Sequence, residues 1–373
     1  MELESSNLIK VSNSKQPIFL SIYSYEKDIK FFVTFLHSIL GLLNIFIIFI
    51  IFALRIIKQL SIPLDLKFLR NIKKDLSYYQ NIQNNFCDNF RNLYNKDLED
   101  KIALFNVSLN SIKFDMFLYK NYDYQSWKNQ LNHSFQEQAT LHMLNALKYY
   151  TDKYNYKNEE IIIFDSAANI GWYTYFFGLF NYNILSFEPF PDNFYILKKN
   201  YCRNRKNFFS NLSTVTVINK ALYSIETSCD YYRNMKNYKK NLLVCDKKFA
   251  SNIEKDYIKI GNSQTSKLSD FISLIRNKQI TLIRIDLENE GEKVIEGGKE
   301  IIIKYHIPFI LIEFNKLMFA LHETKPQDFL RLFTENGYKI SLNGFLSKKF
   351  ISVEELIQTN FVKIILYIIY AGT

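Results

Sequence analysis

Three acidic residues follow short apolar runs in this sequence, at places where a side chain could act on a bound ligand. Asp165, Glu188 and Asp286 each come directly after such a run. Short apolar runs predict buried strands, and in an open α/β sheet ligands bind at the carboxyl ends of the strands. We therefore expect the three acids to lie around one ligand at one edge of a sheet.

A loop of small residues follows the first of these acids. The sequence DSAANIG occupies residues 165–171 and leads into an aromatic helical run at 172–180. A small-residue loop that opens a helix allows a cofactor to lie against backbone N–H groups, and the acid before it can hold an ammonium or hydroxyl group. The predicted cofactor-binding residues here are Asp165, Ala167, Asn169 and Gly171. The alternative is an ordinary turn between a strand and a helix.

The second acid lies where nucleotide-type folds bind a ribose. Glu188 comes 23 residues after Asp165, at the end of the second predicted strand, and an acid at this place accepts hydrogen bonds from ribose hydroxyls. A dinucleotide such as NAD would require a fuller glycine-rich loop around its pyrophosphate, whereas S-adenosylmethionine carries no phosphate. The loop and Glu188 together therefore favour S-adenosylmethionine as the cofactor over NAD.

The elements that would position these residues alternate between strands and helices. Six apolar runs are predicted as strands, at residues 161–164, 184–187, 214–218, 281–285, 309–314 and 361–370. Helical segments follow several of them, and residues 126–150 have apolar positions at helical spacing. This alternation predicts an α/β fold with an open, mostly parallel sheet and helices on both faces.

Four blocks of the sequence resemble the FkbM-type methyltransferase family. They are DSAANIG at 165–171, SFEPFPDNFYILKKN at 186–200, KLSDFISLI at 267–275 and TLIRIDLENEGEKVIEGGKEIIIKYHIPFILIEF at 281–314, in the family's order and spacing. The resemblance implies an S-adenosylmethionine-dependent O-methyltransferase with the seven-stranded, Rossmann-like class I fold. It covers roughly residues 130–373.

Two positions depart from the family's motifs. The family's D-x-G-A-N-x-G has Ala167 in place of its first glycine, and its D-V-E-G is Asp286-Leu287-Glu288-Asn289 here. An alanine is unstrained at position 167 if φ is negative, whereas a positive φ would cost about 1 kcal/mol or more. These departures favour a second interpretation, in which the chain is a catalytically silent scaffold that keeps the methyltransferase fold.

Three carboxylates could serve the transfer of a methyl group to a hydroxyl, which requires in-line alignment and a group that takes or shares the hydroxyl proton. Asp286 and Glu288 follow one predicted strand and Glu313 closes its neighbour, so these are the predicted catalytic residues. Crowded carboxylates raise one another's pKa, and one of them could act as a base. The alternatives are a divalent cation held by their oxygens, an ion pair between Glu313 and a lysine, or a backbone hydrogen bond to Glu288.

An apolar segment near the N-terminus predicts a single transmembrane helix. Residues 31–54 read FFVTFLHSILGLLNIFIIFIIFAL and are bracketed by Lys30 and Arg55. At about 1.5 Å per residue this helix would be about 36 Å long, enough to cross a hydrocarbon core of about 30 Å. A core helix normally carries a polar stripe, whereas residues 45–54 are apolar all round. A signal peptide is followed by a small-residue cleavage site, and no such site follows this run.

The chain is thus predicted to have four parts: a polar tail at 1–30, the anchor at 31–54, a partly helical stem or spacer at 55–125 and the methyltransferase domain at 126–373. Basic residues are more frequent after the anchor than before it, which favours a cytosolic domain. An anchor followed by a catalytic domain is also typical of lumen-facing enzymes of the secretory pathway. The side of the membrane, endomembrane lumen or cytosol, therefore stays open.

Composition limits the remaining possibilities. The 373 residues are 48% hydrophobic and 23% charged, which argues against wholesale disorder and a polytopic membrane protein. A basic stretch at 198–206 is expected to be a solvated helix end, because no nucleic-acid-binding module accompanies it. The four cysteines show no metal-binding pattern and are expected to be small hydrophobic residues, although their even number is compatible with disulfides. The expected partners are a glycan or small-molecule acceptor and the membrane.

Overall fold

The computed structural model describes residues 87, 96–109, 111–120, 135–205, 215–235, 241–245, 255–275, 278–286, 291–316, 319 and 324–373, all within the unit Arg70–Thr373. The helices are α1 (Lys96–Glu99), α2 (Phe135–Tyr154), α3 (Trp172–Gly178), α4 (Pro191–Asn204), α5 (Gly291–Lys304), α6 (Pro326–Thr334) and α7 (Val353–Gln358). The strands are β1 (Ile102–Leu109), β2 (Ile112–Tyr119), β3 (Ile161–Ser166), β4 (Asn183–Phe187), β5 (Val215–Ile218), β6 (Ala221–Leu222), β7 (Ser228–Asn234), β8 (Asn241–Val244), β9 (Tyr257–Ser266), β10 (Gln279–Ile285), β11 (Phe309–Asn315), β12 (Tyr338–Ser341) and β13 (Lys363–Tyr370).

Seven of these strands form the central sheet, in the order β12-β13-β11-β10-β3-β4-β5. The five strands from β11 to β5 are parallel, whereas β13 is antiparallel to both of its neighbours. All six predicted strands are present, with bounds that agree within two residues. The predicted α/β fold with a mostly parallel sheet is therefore confirmed, and β12 is an additional strand.

Helices cover both faces of this sheet, as predicted. Along β3, Ile161 and Ile163 pack into a cluster with α2, α3 and α4, whereas Ile162 and Phe164 pack into a second cluster with α5, α6 and α7. Successive side chains of a strand point to opposite faces, so a strand covered on both faces is apolar at every position. This explains why residues 161–164 of β3 read as a continuous apolar run in the sequence.

A second, four-stranded sheet in the order β6-β9-β7-β8 lies between β5 and β10 in the chain. We call it the auxiliary sheet. Its contacts with the end of β4 form a small core of five buried residues: Phe190, Ala221, Cys229, Tyr231 and Leu243. The sequence does not predict this sheet, because its strands are short or mix polar with apolar residues.

A β-hairpin precedes the central sheet in the chain. Strands β1 and β2 pair antiparallel, and Phe114, Met116 and Leu118 are buried at alternate positions of β2. The hairpin falls within residues 55–125, where the sequence predicts a partly helical spacer, so this part of the spacer is β structure instead. The alternation of buried side chains along β2 has the period of a strand, and it accounts for the difference.

The hairpin packs against α4 through polar contacts. The Asn200 side chain accepts a hydrogen bond from the N–H of Phe117 at 2.6 Å and donates one to its carbonyl oxygen at 3.2 Å. Arg203 donates to Asp115 at 2.6 Å, and Lys199 forms an ion pair with Glu99. The basic stretch at 198–206 is therefore partly engaged within the protein, which corrects the prediction of a solvated helix end.

All four cysteines are paired in disulfides, Cys87 with Cys202 and Cys229 with Cys245. This corrects the expectation that they are small hydrophobic residues. The first pair is 115 residues apart in sequence, so its spacing carries no local pattern that could reveal it. The second joins Cys229 of β7 to Cys245, which directly follows the neighbouring strand β8.

The predicted anchor at 31–54 lies outside the described residues. Within the described ranges, none of the helices combines the length and the apolar character that a membrane crossing requires.

Candidate functional site

The strand order places a crevice at the carboxyl ends of β3 and β10. From β3 the chain proceeds outward through β4 to β5, and it then returns to form β10 on the other side of β3. Ligands of open α/β folds bind where the strand order reverses in this way. The loop after β3 and the residue Asp286 after β10 lie on the two sides of this crevice.

The loop after β3 contains three residues with left-handed backbone conformations. The φ angles are 58° at Ala167, 54° at Asn169 and 97° at Gly171. Asparagine and glycine adopt this conformation readily, whereas alanine is strained in it by about 1 kcal/mol or more. The condition under which Ala167 strains the loop is therefore met. A side chain at position 171 would also collide with Tyr175, since a Cβ there would lie 2.2 Å from its ring.

Glu188 joins the end of β4 to this loop. Its side chain is 2% exposed, and its two carboxylate oxygens accept hydrogen bonds from the N–H groups of Asn169 at 2.8 Å and Phe190 at 2.9 Å. Burial raises the pKa of Glu188 to about 7, although these backbone bonds partly oppose the rise. A carboxylate offers about four lone-pair positions, so Glu188 can accept further hydrogen bonds from a ligand.

Two residues that the sequence analysis did not identify fix the chain beside Glu188. Asn219 donates its amide to the carbonyl oxygens of Glu188 at 2.8 Å and Pro189 at 3.1 Å. Tyr231, from the auxiliary sheet, donates its hydroxyl to the Pro189 carbonyl oxygen at 2.6 Å. The auxiliary sheet therefore supports the position of the second predicted ligand-binding acid.

Asp165 lies in the interior, where its carboxylate has protein partners. Its side chain is 1% exposed. It accepts a hydrogen bond from Thr174 at 2.7 Å and forms an ion pair with Arg284 at 2.8 Å. Its predicted contact with a cofactor ammonium or hydroxyl group stays a prediction, and the observed role of its side chain is to pair with Arg284.

Arg284 is a third residue of the site that the sequence motifs do not identify. It is a buried residue of β10, it pairs with both Asp165 and Asp286, and its guanidinium lies 4.1 Å from the centre of the Tyr173 ring. Burial alone would lower the pKa of Arg284, but Asp286 and Asp165 outweigh this and raise it. The guanidinium is thus a permanent positive charge between the two predicted site acids. A charged residue inside an apolar strand is the sequence signal that could identify Arg284.

The predicted catalytic acids are placed at neighbouring strand ends. Ile285 pairs with Ile312 in the parallel register of β10 and β11, so Asp286 and Glu313 follow at equivalent positions. The Glu313 carboxylate forms an ion pair with Lys363 at 2.5 Å, which confirms the alternative of a pair between Glu313 and a lysine. Glu288 lies outside the described residues, so the convergence of all three carboxylates stays a prediction.

Residues 165–340 match a family described as the methyltransferase FkbM domain. No curated protein matches the chain in sequence. Among solved structures, the methyltransferase FkbM from Methylobacillus flagellatus KT aligns at 14% identity with a TM-score of 0.31, over 55% of this chain and 42% of its own. The plantazolicin methyltransferase BpumL, in complex with SAH, aligns at 12% identity with a TM-score of 0.27, over 66% of this chain and 91% of its own.

Proposed function

We propose that this protein is a membrane-anchored O-methyltransferase that acts on a hydroxyl of a glycan or another small-molecule acceptor. The match of residues 165–340 to the methyltransferase FkbM domain supports this proposal. Methyltransferases of the FkbM type depend on S-adenosylmethionine. One observation carries the proposal: the Glu188 carboxylate lies beside the backbone of the loop after β3, with the N–H of Asn169 2.8 Å away. An acid and a close backbone are what a nucleoside without phosphate requires.

The residues around the crevice fit this cofactor in distinct ways. Glu188 would accept hydrogen bonds from the ribose hydroxyls, and the backbone of Ala167, Asn169 and Gly171 would lie against the cofactor. When bound, S-adenosylmethionine supplies a methyl group on a positively charged sulfur. The protein would contribute alignment and exclusion of water, and these effects account for much of the rate of a displacement reaction.

Asp286 is the described acid best placed to contact the acceptor hydroxyl. Its side chain is 36% exposed, whereas those of Asp165 and Arg284 are buried. Because Arg284 stands between the two carboxylates, they are paired with a cation and do not simply repel each other. We therefore propose that Asp286 orients the acceptor hydroxyl by accepting its hydrogen bond.

Calorimetric titration tests the donor site directly. S-adenosylmethionine should bind the full chain in detergent with micromolar affinity, and Glu188→Ala should abolish this binding. Glu335→Ala is the matched control, because Glu335 is an exposed residue at the end of α6, and it should bind as the wild type does. A folded wild-type chain that binds no S-adenosylmethionine would refute the proposal.

The second candidate is the silent scaffold, which two observations favour. Ala167 has a strained left-handed backbone, and both oxygens of Asp165 are engaged inside the protein. A scaffold of this kind would give no heat of binding with S-adenosylmethionine in either the wild type or Glu188→Ala. The same titration therefore separates the two candidates.

We propose further that the domain faces an oxidising compartment, anchored by a single helix at 31–54. Both disulfides support this placement, since such bonds persist in the secretory pathway and outside the cell and are rare in the cytosol. The basic residues after the anchor favour the opposite side, and we give the covalent pairs more weight. Protease added to intact microsomes should spare the domain, and protease added after detergent should digest it. Digestion in intact microsomes would place the domain in the cytosol.

A further inference from the structure

Arg284 connects the two sides of the crevice between β3 and β10. One guanidinium nitrogen donates to Asp165 on β3 at 2.8 Å and lies 3.4 Å from the carbonyl oxygen of Ala167 in the loop. The other terminal nitrogen donates to Asp286, at the end of β10. One side chain therefore contacts the last part of β3, the start of its loop and the opposite rim of the crevice.

The charges of this cluster do not cancel. Two carboxylates and one guanidinium leave a net charge of about −1, and buried charge is costly unless it is paired. Asp165 and Arg284 are nearly inaccessible to water, so the unbalanced negative charge is accessible only at Asp286. Glu188 is the other acid at the crevice, and its charge depends on pH because burial raises its pKa to about 7.

The guanidinium of Arg284 engages only one of the two carboxylate oxygens of Asp286. Arg284 binds Oδ2, and within the described part of the chain no residue hydrogen bonds to Oδ1. Arginine presents several donors in a rigid plane and can bridge two carboxylates at once, whereas lysine is a single point charge. The orientation of the Asp286 carboxylate thus depends on the shape of Arg284 as well as on its charge.

We propose that Arg284 is a positioning residue that holds Asp286 so that its Oδ1 meets the positively charged part of the methyl donor. This inference rests on the proposed function. A carboxylate at that place stabilises the sulfonium of S-adenosylmethionine and does nothing comparable for the neutral sulfur of S-adenosylhomocysteine. The cluster would therefore favour binding of the donor and release of the product.

The test compares the affinities of the full chain for S-adenosylmethionine and S-adenosylhomocysteine by calorimetry in detergent. Asp286→Asn and Arg284→Lys should each weaken S-adenosylmethionine by about tenfold and S-adenosylhomocysteine by much less. The double variant should be no weaker than either single variant, because both changes remove the same interaction. The control is Arg203→Lys, which alters the ion pair between Arg203 of α4 and Asp115 of β2 and should leave both affinities unchanged.

The outcomes separate this inference from the proposed function. If the wild type binds and Arg284→Lys binds S-adenosylmethionine equally well, Arg284 is only structural and the inference fails while the function stands. Equal losses for both ligands would also refute the inference. A wild type that does not bind would overturn both. If Arg284→Lys does not fold, the double variant Arg284→Met with Asp165→Leu replaces it, because it removes both buried charges together. This variant should also lose affinity for S-adenosylmethionine and keep most of its affinity for S-adenosylhomocysteine.

Discussion

Replacing Glu188 by glutamine should change how the stability of the protein depends on pH. Burial raises the pKa of the Glu188 carboxyl from 4.5 to about 7. A carboxyl whose pKa is raised on folding holds its proton more tightly in the folded state than in the unfolded state. Its contribution to stability is therefore complete below about pH 4.5 and is lost as the pH rises through about 7. Glutamine does not titrate, so Glu188→Gln should lack this dependence.

The size of the effect follows from the difference between the unfolded and folded pKa values of Glu188. From 4.5 to about 7, at about 1.36 kcal/mol per pKa unit, the contribution is about 3 kcal/mol of unfolding free energy. Between pH 5 and pH 8 the wild type should lose about 2 to 3 kcal/mol more than Glu188→Gln. The glutamine amide also places an N–H group near the backbone donors that the carboxylate binds, which costs about 1 to 3 kcal/mol at every pH. This cost lowers the unfolding free energy of Glu188→Gln by the same amount at every pH, so it does not change how that free energy depends on pH.

Urea unfolding of the full chain in detergent, at several pH values, measures this difference. Trp172 is buried at the start of α3, so tryptophan fluorescence can follow the region of the site. Glu335→Gln is the exposed control and should follow the wild type. Parallel curves for the wild type and Glu188→Gln would show that Glu188 does not titrate in this range, and the reasoning from its burial would be wrong.

The same proton should affect the binding of the methyl donor. An ionised carboxylate accepts hydrogen bonds from ribose hydroxyls more strongly than a protonated one. With a pKa of about 7 for Glu188, the ionised fraction rises about tenfold between pH 6 and pH 8. The affinity for S-adenosylmethionine should rise by a similar factor, and calorimetry at the two pH values measures it. A rise of equal size in Glu188→Gln would assign the effect to another group.

Three further perturbations have defined outcomes. Ala167→Gly should raise the unfolding free energy by about 1 kcal/mol, because it relieves an alanine in the left-handed conformation. The control Ala168→Gly, at a position that is not left-handed, should lower the unfolding free energy by about 0.5 to 1 kcal/mol. Changes of the same sign for both variants in urea unfolding would contradict this. Gly171→Ala should destabilise the protein by more than 1 kcal/mol, because the new methyl group collides with α3 and the backbone is left-handed, and a wild-type melting temperature would disprove the collision. Reduction of the disulfide Cys229–Cys245 should loosen the small core of the auxiliary sheet and weaken S-adenosylmethionine binding. The double variant Cys229→Ser with Cys245→Ser should bind weakly even without reductant. Unchanged affinity would show that the auxiliary sheet supports Pro189 without this disulfide.

The central sheet could be predicted from the sequence because its strands are covered on both faces. Continuous apolar runs such as that of β3 result directly from this burial. The auxiliary sheet and the hairpin could not be predicted in the same way, since their strands are short or mix polar with apolar residues. In a chain rich in Lys, Asn and aromatic residues, this weaker alternation is hard to distinguish from a loop.

The site shows a similar division. Glu188 and the loop at 165–171 were predicted because each follows a recognisable strand. Arg284 was missed because its role depends on Asp165, a residue 119 positions earlier that the parallel pairing of β3 and β10 brings beside it. The disulfide between Cys87 and Cys202 could not be predicted for the same reason, because its two cysteines are 115 residues apart in the sequence. The local sequence shows Arg284 as a charge inside an apolar strand, but it does not identify the distant residue with which that charge pairs.

The contact between the hairpin and α4 determines how the protein can be shortened. Asn200 is fully buried, and its amide bridges Phe117 of the hairpin and the carbonyl oxygen of Ile170 in the loop of the site. A fragment that begins after the hairpin would remove two of the three hydrogen bonds of this amide. It would also uncover the apolar surface around Trp172 against which Phe114 of β2 packs. The smallest fragment suitable for expression therefore begins before Cys87, so that the first disulfide is kept.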